Sequence, residues 1–390
     1  EMPKDDSLLA HKIEFISNAY AHGSEMYEKD SEIKTQIDET NIRIYKNDDE
    51  DINSIYQKGR GWSLEYLEEM YKKLDTKFDF HFHESEVFEE GSRIVKEHLG
   101  KVFEESDGAV VFRGEDHGLH TRVFITSKDA PTYEAKEIGL HQKKAEIPFD
   151  KSIVVTGNEQ SGVMQVGLKA YEQIDPDTAK KTQHINHGLM RGKDGKKMSS
   201  RKGAAITAEE LMDTIKEEVL KKVQKSEVEI SNQEQTAEAV AIGALKYQIL
   251  KQASGKNIVF DIDQALSFEG DSGPYLQYTL ARMKSLLEKA KEAGIKPTKP
   301  SYTKATEDLY KTLYRFPEIV ERASQDYSPQ HVTTFLIGIS GEFNSFYGRE
   351  KIIDLENKEA SGQHLAFVLA VERVISQGLY VLGIPILEKM

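Results

Sequence analysis

Thr207-Ala208-Glu209-Glu210-Leu211-Met212-Asp213-Thr214-Ile215 marks the point where this chain changes character. Thr207 and Glu210 stand three apart, the spacing at which a hydroxyl and a carboxylate cap each other's backbone N–H groups at a helix start. Leu211, Ile215, Val219 and Val223 follow on one helical stripe. Further helical periodicity runs at about 236–252, 273–293, 303–325, 329–347 and 361–382, with almost no alternation of period two. Before residue 205 the pattern differs. Strand-like runs at Phe78–Phe82, Ala109–Phe112, Val123–Thr126 and Ile153–Thr156 alternate with helical segments near Ser92–Leu99, Glu134–Lys144 and Gly162–Tyr171. Such alternation predicts a mostly parallel α/β layer structure. The fold class is therefore α/β followed by all-α, with the hinge expected in 226–236 or at Ser254-Gly255-Lys256. No internal repeat is visible.

Residues 1–60 hold 14 acidic and 8 basic side chains and few long apolar runs. Helical spacing shows around Leu8, Leu9, Lys12, Ile13 and Ile16, whereas Asn47-Asp48-Asp49-Glu50-Asp51 reads as solvated. From Trp62 a stronger helix is expected, with Ser63 as N-cap and Leu64, Leu67, Tyr71 and Leu74 on one face.

Composition narrows the class. The chain has 390 residues, 66 acidic against 52 basic, and a net charge of −14, enough chain for two or three domains at about 150 residues each. The acidic balance excludes a small, uniformly basic nucleic-acid module, though not a local basic patch. Cysteine is absent, which excludes a disulfide framework, a Cys-based zinc site and a thiol nucleophile. Mean hydropathy is −0.56, and no apolar run approaches the roughly 18 residues of a membrane span. With no signal-peptide pattern, a globular cytoplasmic protein without membrane contact is expected. The sequence opens Glu1-Met2-Pro3-Lys4, without an initiator methionine.

The densest chemical signal is Arg191-Gly192-Lys193-Asp194-Gly195-Lys196-Lys197-Met198-Ser199-Ser200-Arg201-Lys202-Gly203, six basic residues against one acidic. Blocks of charge are usually solvent faces. A glycine-rich basic loop with two hydroxyls also suits a polyphosphate, whose developing charge it would neutralise. Tyr133 and Glu137, four apart on a helix, share a face. They make either a surface pair or an acid beside a hydroxyl able to take a guanidinium. Ile153–Thr156 running into Gly157-Asn158-Glu159-Gln160 fits a buried strand entering a ligand crevice, or a strand with an ordinary polar cap. Tyr275, Tyr278 and Arg282 lie at helical spacing, as core aromatics with a surface arginine or as a stacking face for RNA bases. His184 and His187 lack a third ligand at a telling spacing, so no metal site is read there.

Several stretches carry a resemblance. Lys197-Met198-Ser199-Ser200-Arg201 resembles the KMSKS signature of class I aminoacyl-tRNA synthetases, in a KMSSR form. Tyr275-Leu276-Gln277-Tyr278-Thr279-Leu280-Ala281-Arg282 is similar to the Y-x-Q-Y-x-x-x-R of arginyl-tRNA synthetases. Pro131-Thr132-Tyr133-Glu134-Ala135-Lys136-Glu137-Ile138-Gly139 is similar to their T-Y-x-x-x-D-I-G/A, with Glu137 in place of aspartate. Ser63–Leu74 with Phe78-Asp79 and Glu84-Ser85, then Ser106-Asp107-Gly108-Ala109, and finally Leu382-Gly383-Ile384 through Glu388-Lys389-Met390 fit in the same order.

The resemblance implies ligation of L-arginine to tRNA-Arg using ATP and Mg²⁺, with tRNA needed for the activation step. It implies a helical segment or insertion at 1–60, a partial Rossmann-type catalytic domain at 61–230 with the KMSKS-like loop at 196–203, and a helical anticodon-binding domain at 231–390. Lys197, Ser199, Ser200 and Arg201 would serve catalysis, with Lys196 or Lys202 sharing the phosphate role because Ser200 replaces the second lysine of the common motif. Gly157, Glu159, His187, Met190, Met198 and Lys202 would bind ATP. Tyr133, Glu137, Asn158 and Gln160 would bind arginine. Tyr275, Tyr278, Arg282 and Met390 would bind tRNA. The family's H-x-G-H motif is not found: His117-Gly118-Leu119-His120 has the wrong order, and His184-Ile185-Asn186-His187 precedes the basic loop. A fragment, inactive alone and monomeric, is the expectation. The alternative is a non-catalytic tRNA-binding module or a synthetase-like paralogue.

Overall fold

A computed structural model describes residues 2–193, 195, 207–223, 232–300 and 306–389. It divides into two compact units, one comprising Glu1–Pro148 with Val166–Pro176 and the other Phe149–Gln165 with Asp177–Met390.

The first unit opens with helices α1 (Leu9–Lys29), α2 (Ser31–Lys46) and α3 (Glu50–Lys73). Asp30 alone separates α1 from α2, and Asn47-Asp48-Asp49 separate α2 from α3. The Asp30 side chain accepts from the N–H groups of Glu32 and Ile33, and Asp49 caps α3 by accepting from Ile52. Asn47 takes the left-handed conformation (φ 52°) that ends α2. The run that reads as solvated is thus a helix stop followed by a helix start. Ser63 is not an N-cap: it lies inside α3, and its Oγ donates back to the Gly59 carbonyl at 2.9 Å. The cap is taken by Asp49, the stronger acceptor upstream.

Strands β1 (Glu104–Ser106), β2 (Ala109–Phe112) and β3 (Arg122–Ile125) form an antiparallel sheet in the order β1-β2-β3. Asp107 and Gly108, both at positive φ (50° and 76°), make the two-residue turn between β1 and β2. Helices α4 (Glu84–Glu97) and α5 (Tyr133–Ala145) pack beside it. Phe103, Phe112 and Phe124 fill the space beneath, with ring centroids 4.8 Å apart for Phe103 and Phe124. Phe78–Phe82 forms no strand. Among the described residues no backbone pairs with it; Phe78 instead packs edge-on to Tyr71 at 4.7 Å, and Phe80 stays exposed.

In the second unit, β4 (Ser152–Gly157) pairs in parallel with β5 (Thr182–His187), and β6 (Met190–Gly192) with β7 (Ile258–Phe260). The helices α6 (Ser161–Ile174) and α7 (Pro176–Lys181) connect β4 to β5 along the chain. The expectation of a mostly parallel layer is therefore corrected: among the described strands only these two pairs are parallel, and the three-stranded sheet is antiparallel because β1 and β2 are joined by a turn too short for a crossover.

The helical part follows as α8 (Ala208–Val223), α9 (Gln233–Leu250), α10 (Ile262–Ala265), α11 (Gly273–Glu292), α12 (Glu307–Tyr314), α13 (Phe316–Gln325), α14 (Gln330–Arg349) and α15 (Lys358–Val381). The capping box forms: Thr207 N donates to Glu210 Oε2 at 3.0 Å and Glu210 N to Thr207 Oγ1 at 3.1 Å. One expected helix, 303–325, is two, broken at Arg315 before Pro317, whose ring cannot continue the hydrogen-bond ladder. Leu276, Leu280, Phe343, Leu365, Val371 and Ile375 are fully buried in one core. α15 is long and apolar enough by composition to cross a membrane, but its Leu365, Val368, Val371, Ile375 and Leu379 are committed to that core.

Candidate functional site

The C-terminal ends of β4 and β5 lie side by side, with Thr156 opposite Asn186 and Gly157 opposite His187. Ligands of parallel sheets gather at such ends. Gly157, Asn158, Glu159 and Gln160 leave β4 there, and His187 leaves β5 beside them. The Glu159 carboxylate folds over Gly157 so closely that a Cβ on that glycine would lie 2.4 Å from Oε1. Asn158 Nδ2 donates to the Gly255 carbonyl at 2.8 Å, Asn186 Nδ2 to Ser161 Oγ at 3.0 Å, and Thr156 Oγ1 meets His184 Nε2 at 2.8 Å. Burial lowers the His184 pKa, favouring a neutral ring. Around His187 the chain is pressed close: a Cβ on Gly188 would fall 2.0 Å from the Lys256 carbonyl oxygen. Leu189 N donates to Asn257 Oδ1 at 3.0 Å, which leads Met190 into its pairing with Ile258.

The basic loop begins from a fixed point. Lys193 Nζ pairs with Asp261 at 2.8 Å, which raises the lysine's pKa and lowers the aspartate's. Gly195, at φ 73°, turns back to the Gly192 carbonyl. Lys196, Lys197, Met198, Ser199, Ser200, Arg201 and Lys202 lie outside the described residues, as does Met390.

In the first unit, Thr132 sets the start of α5 by donating from Oγ1 to the Val123 and Phe124 carbonyls. Tyr133 and Glu137 stand one turn apart on that helix, and burial together with the Glu137 carboxylate raises the phenol's pKa. Glu137 is only 8% exposed, while Tyr133 remains 38% exposed. Burial raises the Glu137 pKa against the pull of Tyr133 and Lys144. Its neighbour Glu134 is already paired with Arg122 at 3.1 Å. Among the described residues Glu137 forms no ion pair within 4 Å, which leaves a buried acceptor suited to a cation.

On α11, Tyr275, Tyr278 and Arg282 share one face. Arg282 Nη2 donates to Tyr278 Oη at 3.0 Å, and its guanidinium sits 4.7 Å from the Tyr278 ring centroid and 5.3 Å from that of Tyr347. Asn186 and Asn344 escape sequence reading, each acting through a partner distant in sequence; Gly255 is read only as part of a hinge, and the bond its carbonyl accepts from Asn158 is not foreseen.

A family model described as "tRNA synthetases class I (R), catalytic domain" matches residues 1–262. The chain belongs to the arginyl-tRNA synthetase family. A second family model, "DALR anticodon binding domain", matches 276–390. An arginine–tRNA ligase of Borreliella afzelii is 29% identical over 96% of the chain and 66% of its own length. One of Bacteroides fragilis is 30% identical over 88% of the chain and 59% of its own length. The chain thus spans less than two thirds of these family members. In fold, it matches a Thermus thermophilus arginyl-tRNA synthetase with a TM-score of 0.80 at 22% identity, over all of this chain and 72% of that one. The class I catalytic fold and the helical domain after it stand on these matches.

Proposed function

We propose that the protein to which this chain belongs ligates L-arginine to tRNA-Arg. The arginine carboxylate attacks the α-phosphorus of ATP, forming arginyl-adenylate and releasing pyrophosphate. A hydroxyl of the terminal tRNA ribose then attacks the activated carbonyl and releases AMP. The observation that carries this reading is the polar run 157–160 leaving β4 beside His187 at the end of β5, on a chain of this family. Gly157, Glu159, His187, Met190, Met198 and Lys202 would hold the nucleotide. Asn158 and Gln160, with Tyr133 and Glu137, would hold arginine, the buried carboxylate taking the guanidinium. Lys197, Ser199, Ser200 and Arg201 would meet the phosphates, so that chemistry comes from positioning and charge stabilisation. Among the described residues no three His, Asp or Glu side chains cluster as a metal site; Mg²⁺ is assigned here only as the counter-ion that ATP brings. The setting of translation is the cytoplasm.

The 390 residues contain no H-x-G-H, which supports a second reading of the chain by itself, as a tRNA-binding part that does no chemistry. Binding and ATP–pyrophosphate exchange separate the two. The chain should prefer tRNA-Arg over tRNAs with other anticodons, and exchange with arginine and tRNA present should stay at background. Equal affinity for unrelated tRNAs overturns the assignment; robust exchange overturns the second reading and leaves the first.

A further inference from the structure

Asn344, half-buried on α14, faces the side of α11 that carries Tyr275, Thr279 and Arg282. Its Oδ1 accepts from Arg282 Nη1 at 3.2 Å. Its Nδ2 donates to Tyr275 Oη at 2.9 Å and lies 3.4 Å from Thr279 Oγ1. A guanidinium only donates, so the amide oxygen must face Arg282 and the amide nitrogen must face the hydroxyls. One side chain thereby fixes two of the side chains on this face. What holds the guanidinium is also informative. Its partners are an amide oxygen, a phenol and two aromatic rings, all neutral. Among the described residues no carboxylate comes within 4 Å of it. The geometry holds the arginine still without cancelling its charge, which is what a planar donor needs in order to meet a phosphate or a base.

We propose that Asn344 is a positioning residue for RNA: anchored on Tyr275 through its amide nitrogen, it orients Arg282 while leaving the guanidinium its charge. This rests on the proposed tRNA contact of the same face. The test measures affinity of the full chain for an RNA hairpin carrying an arginine anticodon, with thermal unfolding recorded for each variant. Asn344→Ala should weaken binding about tenfold in the parent background but less than about twofold when Arg282→Ala is already present, because the amide acts through the guanidinium. Asn344→Asp keeps the size and the contact to Arg282 but adds the missing negative charge. It should fold as well as the parent, bind the hairpin about tenfold more weakly and show a flatter salt dependence, and it serves alone if the alanine variant does not fold. Equal losses from Asn344→Ala in both backgrounds, or parent-like binding by Asn344→Asp, overturn the proposal while leaving the face as an RNA contact. Parent-like binding by both Arg282→Ala and Tyr278→Ala overturns the reading of the face itself, and this proposal with it.

Discussion

His141 shows what a single buried ring costs. It is 2% exposed and stacked on Tyr171 at 5.0 Å, with Nε2 lacking a hydrogen-bond partner among the described residues. Burial and the nearby Lys144 charge push its pKa down to about 4. The unfolded chain takes up a proton on this ring near pH 6.5, whereas the folded chain resists until about 4. Stability from this residue is therefore complete above pH 6.5 and is lost as pH falls through that window. His141→Phe keeps the ring and deletes the orphaned nitrogen. It should raise stability by about 1–3 kcal/mol and flatten the acid-side fall in denaturant midpoint measured from pH 7 to pH 4. Glu137 behaves in the opposite sense. Its carboxyl is held above the ordinary range by burial, so its contribution is lost as pH rises through the folded pKa. Glu137→Gln should melt higher than the parent at neutral pH. If the carboxylate meets arginine as proposed, the same variant should lose about 1.5–3 kcal/mol of arginine affinity in a complete enzyme, the range for a charge-assisted bond; calorimetric titration with arginine reads it. Unchanged arginine affinity would remove Glu137 from the site.

Between elements, backbone contact decides more than side chains do. Gly91 on α4 and Gly139 on α5 face each other, and a Cβ on Gly91 would lie 2.0 Å from the Ala135 carbonyl oxygen. On Gly139 it would lie 2.1 Å from that of Val87. Neither neighbour is a flexible side-chain end. Gly91→Ala or Gly139→Ala must push the helices apart and should cost about 1–3 kcal/mol or more, seen as a lower melting temperature and loss of the near-ultraviolet signal from the aromatic cluster beneath. At this scale the sequence was legible wherever the deciding partner lay nearby. The Thr207–Glu210 box, β2 at Ala109–Phe112 and the stripes of α11 and α15 all sit within a turn or two of their own signals. Phe78–Phe82 failed because alternation says nothing about whether a neighbouring strand exists. β5, β6 and β7 went unread because their pairing lies across long connections. Ser63 failed because a better cap stood fourteen positions upstream. In the site, the polar run 157–160 could be read; the carbonyl that Asn158 holds could not, since it belongs to residue 255.

For the whole molecule the net charge of −14 opposes any polyanion at long range. If Arg282 and the 191–203 loop meet RNA as proposed, those contacts are local, and at physiological ionic strength the rest of the surface is screened beyond about 8 Å. Affinity for tRNA-Arg should fall as salt rises from low to moderate concentrations, since cation release from RNA outweighs relief of general repulsion. Filter binding across a salt series checks it, and an affinity that rises with salt would show that repulsion governs instead.

The bond between Asn158 and Gly255 also has a schedule. Its partners are 97 residues apart, and at the roughly 5–20 residues per second of ribosomal synthesis the amide waits about 5–20 s for its carbonyl to be made. β6 waits similarly for β7. Meanwhile β4 has emerged with Ile153 and Val155 facing outward, 47% and 61% exposed even in the finished fold. The nascent chain therefore carries β4, with its exposed apolar face, before either the Gly255 carbonyl or β7 has been made. A translation pause placed before codon 255 should lengthen this interval and increase aggregation, whereas the same pause placed once β7 has left the ribosome should do far less.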